Sequence, residues 1–337
     1  MSSFPAPGLV WRRVTRRLRR AAVQAGYRIV LRNPLWDGTS VPAPRPRYLP
    51  STFPSPTTGR SCETAALHLA VVGDSSALTV GVHRGEHTVS TVLATALADA
   101  LGCPIDLTLT ARAGATTTSL PRQLRTLTGT TPGVAIVQIG GNDVFAPVRL
   151  SRTAEQLACH VRDLRTAGWQ VVVTACPDIG AAPAVRRFAR LVGTKRSRRL
   201  AALQTAAALR AGASVVSLTA PEFRTDPDGL YCPDRFHPSP AGYRLFQQRA
   251  LPAVLHAAHT HHAPGGSADL VLHADQHRCW ITLSEAQRQV HHTPGATFYP
   301  HPSLNGALLV HHHPGHLIPL AAPRTSSTAR TMTTTAR

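Results

Sequence analysis

No run of 18 consecutive apolar residues occurs in the 337-residue chain, so no segment is long enough to read as a membrane-spanning helix. The six cysteines, at 62, 103, 159, 176, 232 and 279, include no Cys-x-x-Cys pair. That excludes zinc-type spacing, and the chain is too long to be a disulfide-stapled miniprotein, so reduced and mostly buried thiols are expected. A P-loop is excluded too, because Gly193-Thr194-Lys195 lacks the Gly-x4-Gly-Lys-Ser/Thr frame. Residues 1–60 lack lysine and hold one acid, Asp37, against 11 arginines. Within them "RRVTRRLRR" suggests twin-arginine export, but the following "AAVQAGYRIVL" is interrupted by Gln24, Tyr27 and Arg28. A clean apolar segment with a small-residue cleavage site is absent there. The expected location is cytoplasmic, either free or peripheral to the membrane, with an exported form as the alternative.

The charge that is present is unevenly spread. Residues 1–60 carry a net +10, residues 61–256 carry 20 basic against 13 acidic residues (+7), and the remainder carries +2, which together make the formal +19. The excess is a property of the N-terminus and not of the whole fold. Apolar residues make up 43%, enough to build a packed core in one or two domains.

Three zones follow. In 1–60, Leu9, Val10, Val14, Leu18 and Ala22 alternate with arginines, the pattern of a basic amphipathic helix over 10–32. The Pro-rich "VPAPRPRYLPSTFPSPTTG" after it predicts an extended, unpacked linker. In 61–256, short β-branched runs (Leu67–Val72, Ile105–Thr110, Val134–Ile139, Gln170–Thr174, Ser214–Leu218) alternate with helical patterns at 87–101, 116–128, 151–167, 184–211 and 240–255. Five βα units in order predict an α/β fold: a five-stranded parallel sheet between helical layers, three-layer α/β/α and flavodoxin-like. Zone 257–337 holds most of the histidines, 13 of the 18 lying after position 255, and ends "RTSSTARTMTTTAR". Its periodicity fades, and it reads as a weakly ordered tail.

Four short motifs fall at strand ends, where ligands sit in such sheets. They are Gly73-Asp74-Ser75, the "ARAGATT" turn with Gly114, Gly140-Gly141-Asn142-Asp143, and "YCPDRFHP" with Asp234, His237 and Pro238. A serine hydroxyl needs a base to become a nucleophile, and His237 is the candidate. The second ring nitrogen of that histidine needs an acceptor, and Asp234 lies three residues earlier. The Ser75 N–H, the Gly114 N–H and the Asn142 side-chain amide are candidate donors to an oxyanion. Ser76 is the alternative nucleophile or a helix cap, and Asp74 and Asp143 read as loop supports.

These four blocks, in this order over about 190 residues, resemble the SGNH (GDSL-type) hydrolases, a superfamily of serine esterases and lipases. The resemblance implies strand order 2-1-3-4-5, Ser75 as nucleophile, His237 as base with Asp234 behind it, an oxyanion hole of Ser75, Gly114 and Asn142, and no metal or cofactor. It implies cleavage of carboxylic esters, whether lipid, acyl or acetyl-sugar, through an acyl-enzyme. Leu78 and Thr79 stand where relatives carry small residues, which predicts either a narrowed pocket or a repositioned following helix. Two alternatives stay open: acyl transfer by the same residues, and a non-catalytic binder tethered to membrane.

Other features read less sharply. The basic run 186–200 is either a solvated helix face or a basic lip that attracts anionic substrates or membrane. The N-terminal arginines suit an anionic membrane surface or a solubilising tail, while nucleic acid is a weaker partner because no recognition fold accompanies them. The histidine tracts at 256–262 and 311–316 lack a carboxylate or cysteine frame for a specific metal site.

Overall fold

The computed structural model describes residues 29–31, 41–51, 65–262, 278–300 and 306–310. Most of the expected helix at 10–32 and the histidine tract at 311–316 lie outside them. The five expected strands appear as β2 (Leu67–Gly73), β3 (Ile105–Leu109), β4 (Val134–Gln138), β5 (Gln170–Thr174) and β6 (Ser214–Val216). They are parallel, in the order β3-β2-β4-β5-β6. Among themselves that is the expected order 2-1-3-4-5. Their near-continuous apolar sequences follow from burial on both faces.

Alternate residues of each strand face opposite layers. Leu69, Val71, Ile136 and Val172 pack on one side with helices α2 (Val89–Leu101) and α9 (Pro240–His262). Ala70, Val72, Val137 and Val173 pack on the other with α5 (Leu150–Thr166), α6 (Arg187–Arg210) and α10 (Leu283–Gln289). The remaining short helices are α1 (Ser75–Leu78), α3 (Leu120–Leu124), α4 (Gly141–Phe145), α7 (Glu222–Thr225) and α8 (Pro227–Leu230). Helix α9 runs seven residues past the expected end at 255, because Ala257 and Ala258 still face the core.

Four expectations are corrected. The sheet is not five-stranded and purely parallel, for four more strands join it antiparallel and make nine among the described residues. At one edge β1 (Arg47–Tyr48) pairs with β3, so part of the expected linker is packed. Tyr48 is buried and its hydroxyl meets Thr91 Oγ1 at 2.8 Å. At the other edge β8 (Thr297–Pro300) pairs with β6, and β9 (Gly306–Val310) joins β8 to β7 (Arg278–Thr282). The region beyond 257 is thus folded at 278–300 and 306–310, where Phe298 and Leu309 fill the core. Finally, 116–128 is broken into short turns of helix and 3-10 helix instead of one helix.

Candidate active site

Strand β2 ends on a backbone position only glycine fills. Gly73 has φ +151°, and a Cβ there would lie 1.8 Å from the Gln138 carbonyl oxygen. The next residue caps α1: Asp74 Oδ1 accepts from Ser76 N–H at 2.9 Å and Ser76 Oγ at 2.7 Å. Ser76 is thereby engaged in the cap, and Ser75, the first residue of α1, is the serine presented to the histidine. Burial raises the Asp74 carboxyl above its ordinary pKa, against the hydrogen bonds from Ser76.

Ser75 Oγ lies 3.0 Å from His237 Nε2, and His237 Nδ1 lies 2.6 Å from Asp234 Oδ2. The other oxygen, Asp234 Oδ1, accepts from the backbone N–H of Phe236 and His237 at 2.9 and 3.0 Å. Burial alone would raise the Asp234 carboxyl, but the hydrogen bond and charge of His237, with those two N–H groups, hold it below the ordinary carboxylate value. An ionised Asp234 accepts only, so Nδ1 carries the proton and Nε2 is left to accept from Ser75.

Three further residues fix this alignment: Cys232 on the histidine loop itself, Tyr243 on α9 and Gln123 behind β2. Cys232 Sγ donates to the Gly81 and Pro238 carbonyls at 3.3 and 3.0 Å, joining the histidine loop to the serine loop. Burial pushes its thiol to about 11, so it stays protonated as a donor. Tyr243 on α9 donates to the Val80 carbonyl at 3.0 Å. Behind β2, Gln123 closes a ring with both backbone groups of Gly73, each at 2.8 Å.

The candidate oxyanion donors divide. As the first residue of a helix, Ser75 has an N–H without an intrahelical acceptor. Asn142, in α4, is buried and gives one amide hydrogen to the Ala115 carbonyl at 2.8 Å; its amide carries a second. Both residues line a cavity of about 340 Å3 together with His237. Gly114 sits on an exposed turn at φ +72° and does not line it. Asp143 faces away from the cavity group: Oδ2 accepts from Thr117 N–H and Oγ1 at 3.0 and 2.9 Å, and burial lifts its pKa to about 7.

Apart from Phe236, which lies within the "YCPDRFHP" motif, the rest of the cavity wall was not legible in the motifs. Ile179, Leu218, Phe223, Phe236 and Phe246 make it apolar, and His291 and His292 reach it from the C-terminal segment. Val290 holds that segment in place, its carbonyl accepting from Ser217 Oγ at 2.5 Å and Thr219 Oγ1 at 3.2 Å. Leu78 and Thr79 do not line the cavity. Leu78 packs against the core, and Thr79, at φ +66°, is the C-cap of α1 and accepts from Val89 N–H at 3.0 Å. The expected narrowing of the pocket by these two is therefore corrected. No group of three His, Cys, Asp or Glu side chains able to hold a metal ion occurs among the described residues, the 256–262 histidines included.

A half-buried serine hydroxyl within hydrogen-bond distance of a buried histidine, at the carboxyl ends of a 2-1-3-4-5 parallel sheet, defines a class. The model of the GDSL-like lipase/acylhydrolase family matches residues 71–245, which is 175 of the 337 residues. The chain belongs to that family. A GDSL-like esterase from Mycobacterium tuberculosis is 38% identical over 184 residues, covering 53% of this chain and 59% of that protein. The chain thus spans less than two thirds of the length of the curated relative it matches. Among solved structures, a lipolytic G-D-S-L family protein from Veillonella parvula aligns with TM-score 0.46 and 16% identity over 55% of this chain and 97% of its own. An acetylxylan esterase from Geobacillus stearothermophilus aligns with TM-score 0.45 and 17% identity over 56% and 94%.

Proposed function

We propose that the chain is a serine-dependent carboxylic ester hydrolase acting through an acyl-enzyme. The observation that carries this is the unbroken relay from Ser75 through His237 to Asp234. In the proposed reaction Ser75 Oγ attacks the ester carbonyl carbon as its proton passes to His237 Nε2. The imidazolium so formed is stabilised by Asp234. The oxyanion accepts from the Ser75 N–H and the free Asn142 amide hydrogen, with the Gly114 N–H as the third candidate donor. Collapse breaks the C–O bond, and the leaving alcohol takes the proton from His237. Water, giving a proton to His237, then attacks the acyl-Ser75 ester; collapse breaks the bond to Ser75 Oγ, which takes that proton back from His237 as the acid leaves.

The mainly apolar wall built by Leu218, Phe223 and Phe246 supports an ester with an apolar portion. The test is turnover of a soluble short-chain aryl ester. Ser75→Ala is expected to lower kcat by about 10^4-fold or more with an unchanged thermal midpoint. Retained turnover in the folded variant overturns the assignment, and transfer of the acyl group to an added alcohol in place of water redirects it to acyl transfer.

A further inference from the structure

Helix α6 has two halves of different character. From Leu200 onward it is a core helix, with Leu200, Ala201, Gln204, Ala208 and Leu209 buried. Its first half, "RFARLVGTKRSRR", turns a stripe outward at helical spacing: Phe188, Leu191, Val192, Lys195 and Arg199. Phe188 is 67% exposed, Leu191 63% and Val192 53%. Ile29, 64% exposed, precedes a strand of contact to the same end of the helix: the Val30 carbonyl accepts from Arg186 N–H at 2.7 Å, and Leu31 bridges Val185. Four of the six exposed large apolar residues among those described therefore gather here.

The charged side chains of the helix itself have one sign, and the carboxylate beside it, Asp178, which accepts from Thr194 Oγ1 at 2.9 Å, is paired with Arg224. Helix α6 contains seven basic residues and no acid. Arg190 and Arg196 spend their hydrogen bonds on backbone carbonyls, of Val185 and Pro183 and of Val144 and Ala146 respectively, so their charge is not neutralised. Lys195, Arg196 and Arg199 also line a recess with Arg149 and Ser151 at the start of α5. An apolar stripe edged with uncompensated cations fits the boundary of an anionic bilayer: apolar side chains enter the acyl region and cations meet the lipid phosphates. The N-terminal residues 1–28 are an unsuitable cover for this face. They carry seven arginines and no acid, so like charges would meet.

We infer that the outer face of α6, residues 188–199, docks the protein on anionic lipid surfaces. Arg198 of the same helix lines the Ser75 cavity, so docking would bring the site to esters held in the bilayer. That consequence rests on the hydrolase reading, whereas the docking itself does not.

The experiment is co-sedimentation of the full chain with vesicles of phosphatidylcholine alone, and with about a third phosphatidylglycerol added. The wild type is expected to bind the mixed vesicles, to bind the neutral ones far less, and to be released by salt. Phe188→Ser with Leu191→Ser is expected to weaken binding about ten-fold or more. Lys195→Gln and Arg199→Gln are expected to weaken it about five-fold each and to flatten the salt dependence. Melting curves and soluble-ester turnover serve as controls and are expected to match the wild type, as these side chains are exposed and outside the cavity. Absence of binding by the wild type overturns the inference. So does undiminished binding by Phe188→Ser/Leu191→Ser, which would assign the contact to the N-terminal arginines. A wild-type dimer in gel filtration that this variant dissolves, without vesicle binding, also overturns it in favour of a second copy of the chain.

Discussion

The two borders of the sheet do opposite work. At the carboxyl edge of β2, β4 and β6, buried and half-buried polar groups are spent on one another: Asp74 on Ser76, Asp143 on Thr117, Asp234 on His237. At the antiparallel flank β7–β9 the buried residues are mainly apolar, with Phe298, Ala307, Leu309 and Val310 closing the core beside β6. Burying polar groups is unfavourable unless each finds a partner, so the first border is built for chemistry and the second for packing. Perturbing each should therefore give different symptoms.

The sharpest separation comes from Asp234→Asn. The amide would present a donor to His237 Nδ1 and turn the ring to the wrong tautomer. A fall in kcat of about 10^3–10^4-fold is expected, with denaturant stability changed far less. At the flank, Phe298→Ala opens a cavity in the core, and a loss of about 3–5 kcal/mol in unfolding free energy is expected. Turnover per folded molecule should then stay near wild type. If Phe298→Ala instead abolished turnover in still-folded protein, the two borders would not be separable.

The smallest effect concerns pH. The folded-state pKa of Asp143, about 7, lies above its ordinary value of 3.8, so the native state binds that proton more tightly than the unfolded chain. Its contribution is full below about pH 4 and is lost as pH rises through about 7. Asp143→Asn cannot titrate, and its denaturation midpoint should fall less steeply over that window. Equal slopes in the two proteins would contradict the raised pKa.

The same contrast explains what the sequence disclosed. Ser75, Asn142, Asp234 and His237 were legible because a strand end, a following turn and a three-residue spacing are local features, and the chemistry fixes the residue types. Cys232 and Tyr243 were not, since each acts on a carbonyl about 150 residues or more away in the chain and has no local signature. Tyr48 was hidden by the prolines around it, although its own burial and hydroxyl bond anchor β1. Strands β7–β9 are short, and their place comes from pairing with β6 and one another, which periodicity over a few residues does not encode. Leu78 and Thr79 show the converse: sequence position beside Ser75 suggested a pocket role, while the backbone turned both away from the cavity.

The central claim is that Ser75 is the residue His237 activates. Its most direct test is reaction of the folded protein with an alkyl fluorophosphonate followed by peptide mass spectrometry. A single adduct on the Ser75 peptide is predicted, lost in Ser75→Ala and strongly slowed in His237→Ala. No adduct on folded wild-type protein, or an adduct on Ser76 or another serine with Ser75 unmodified, would contradict it.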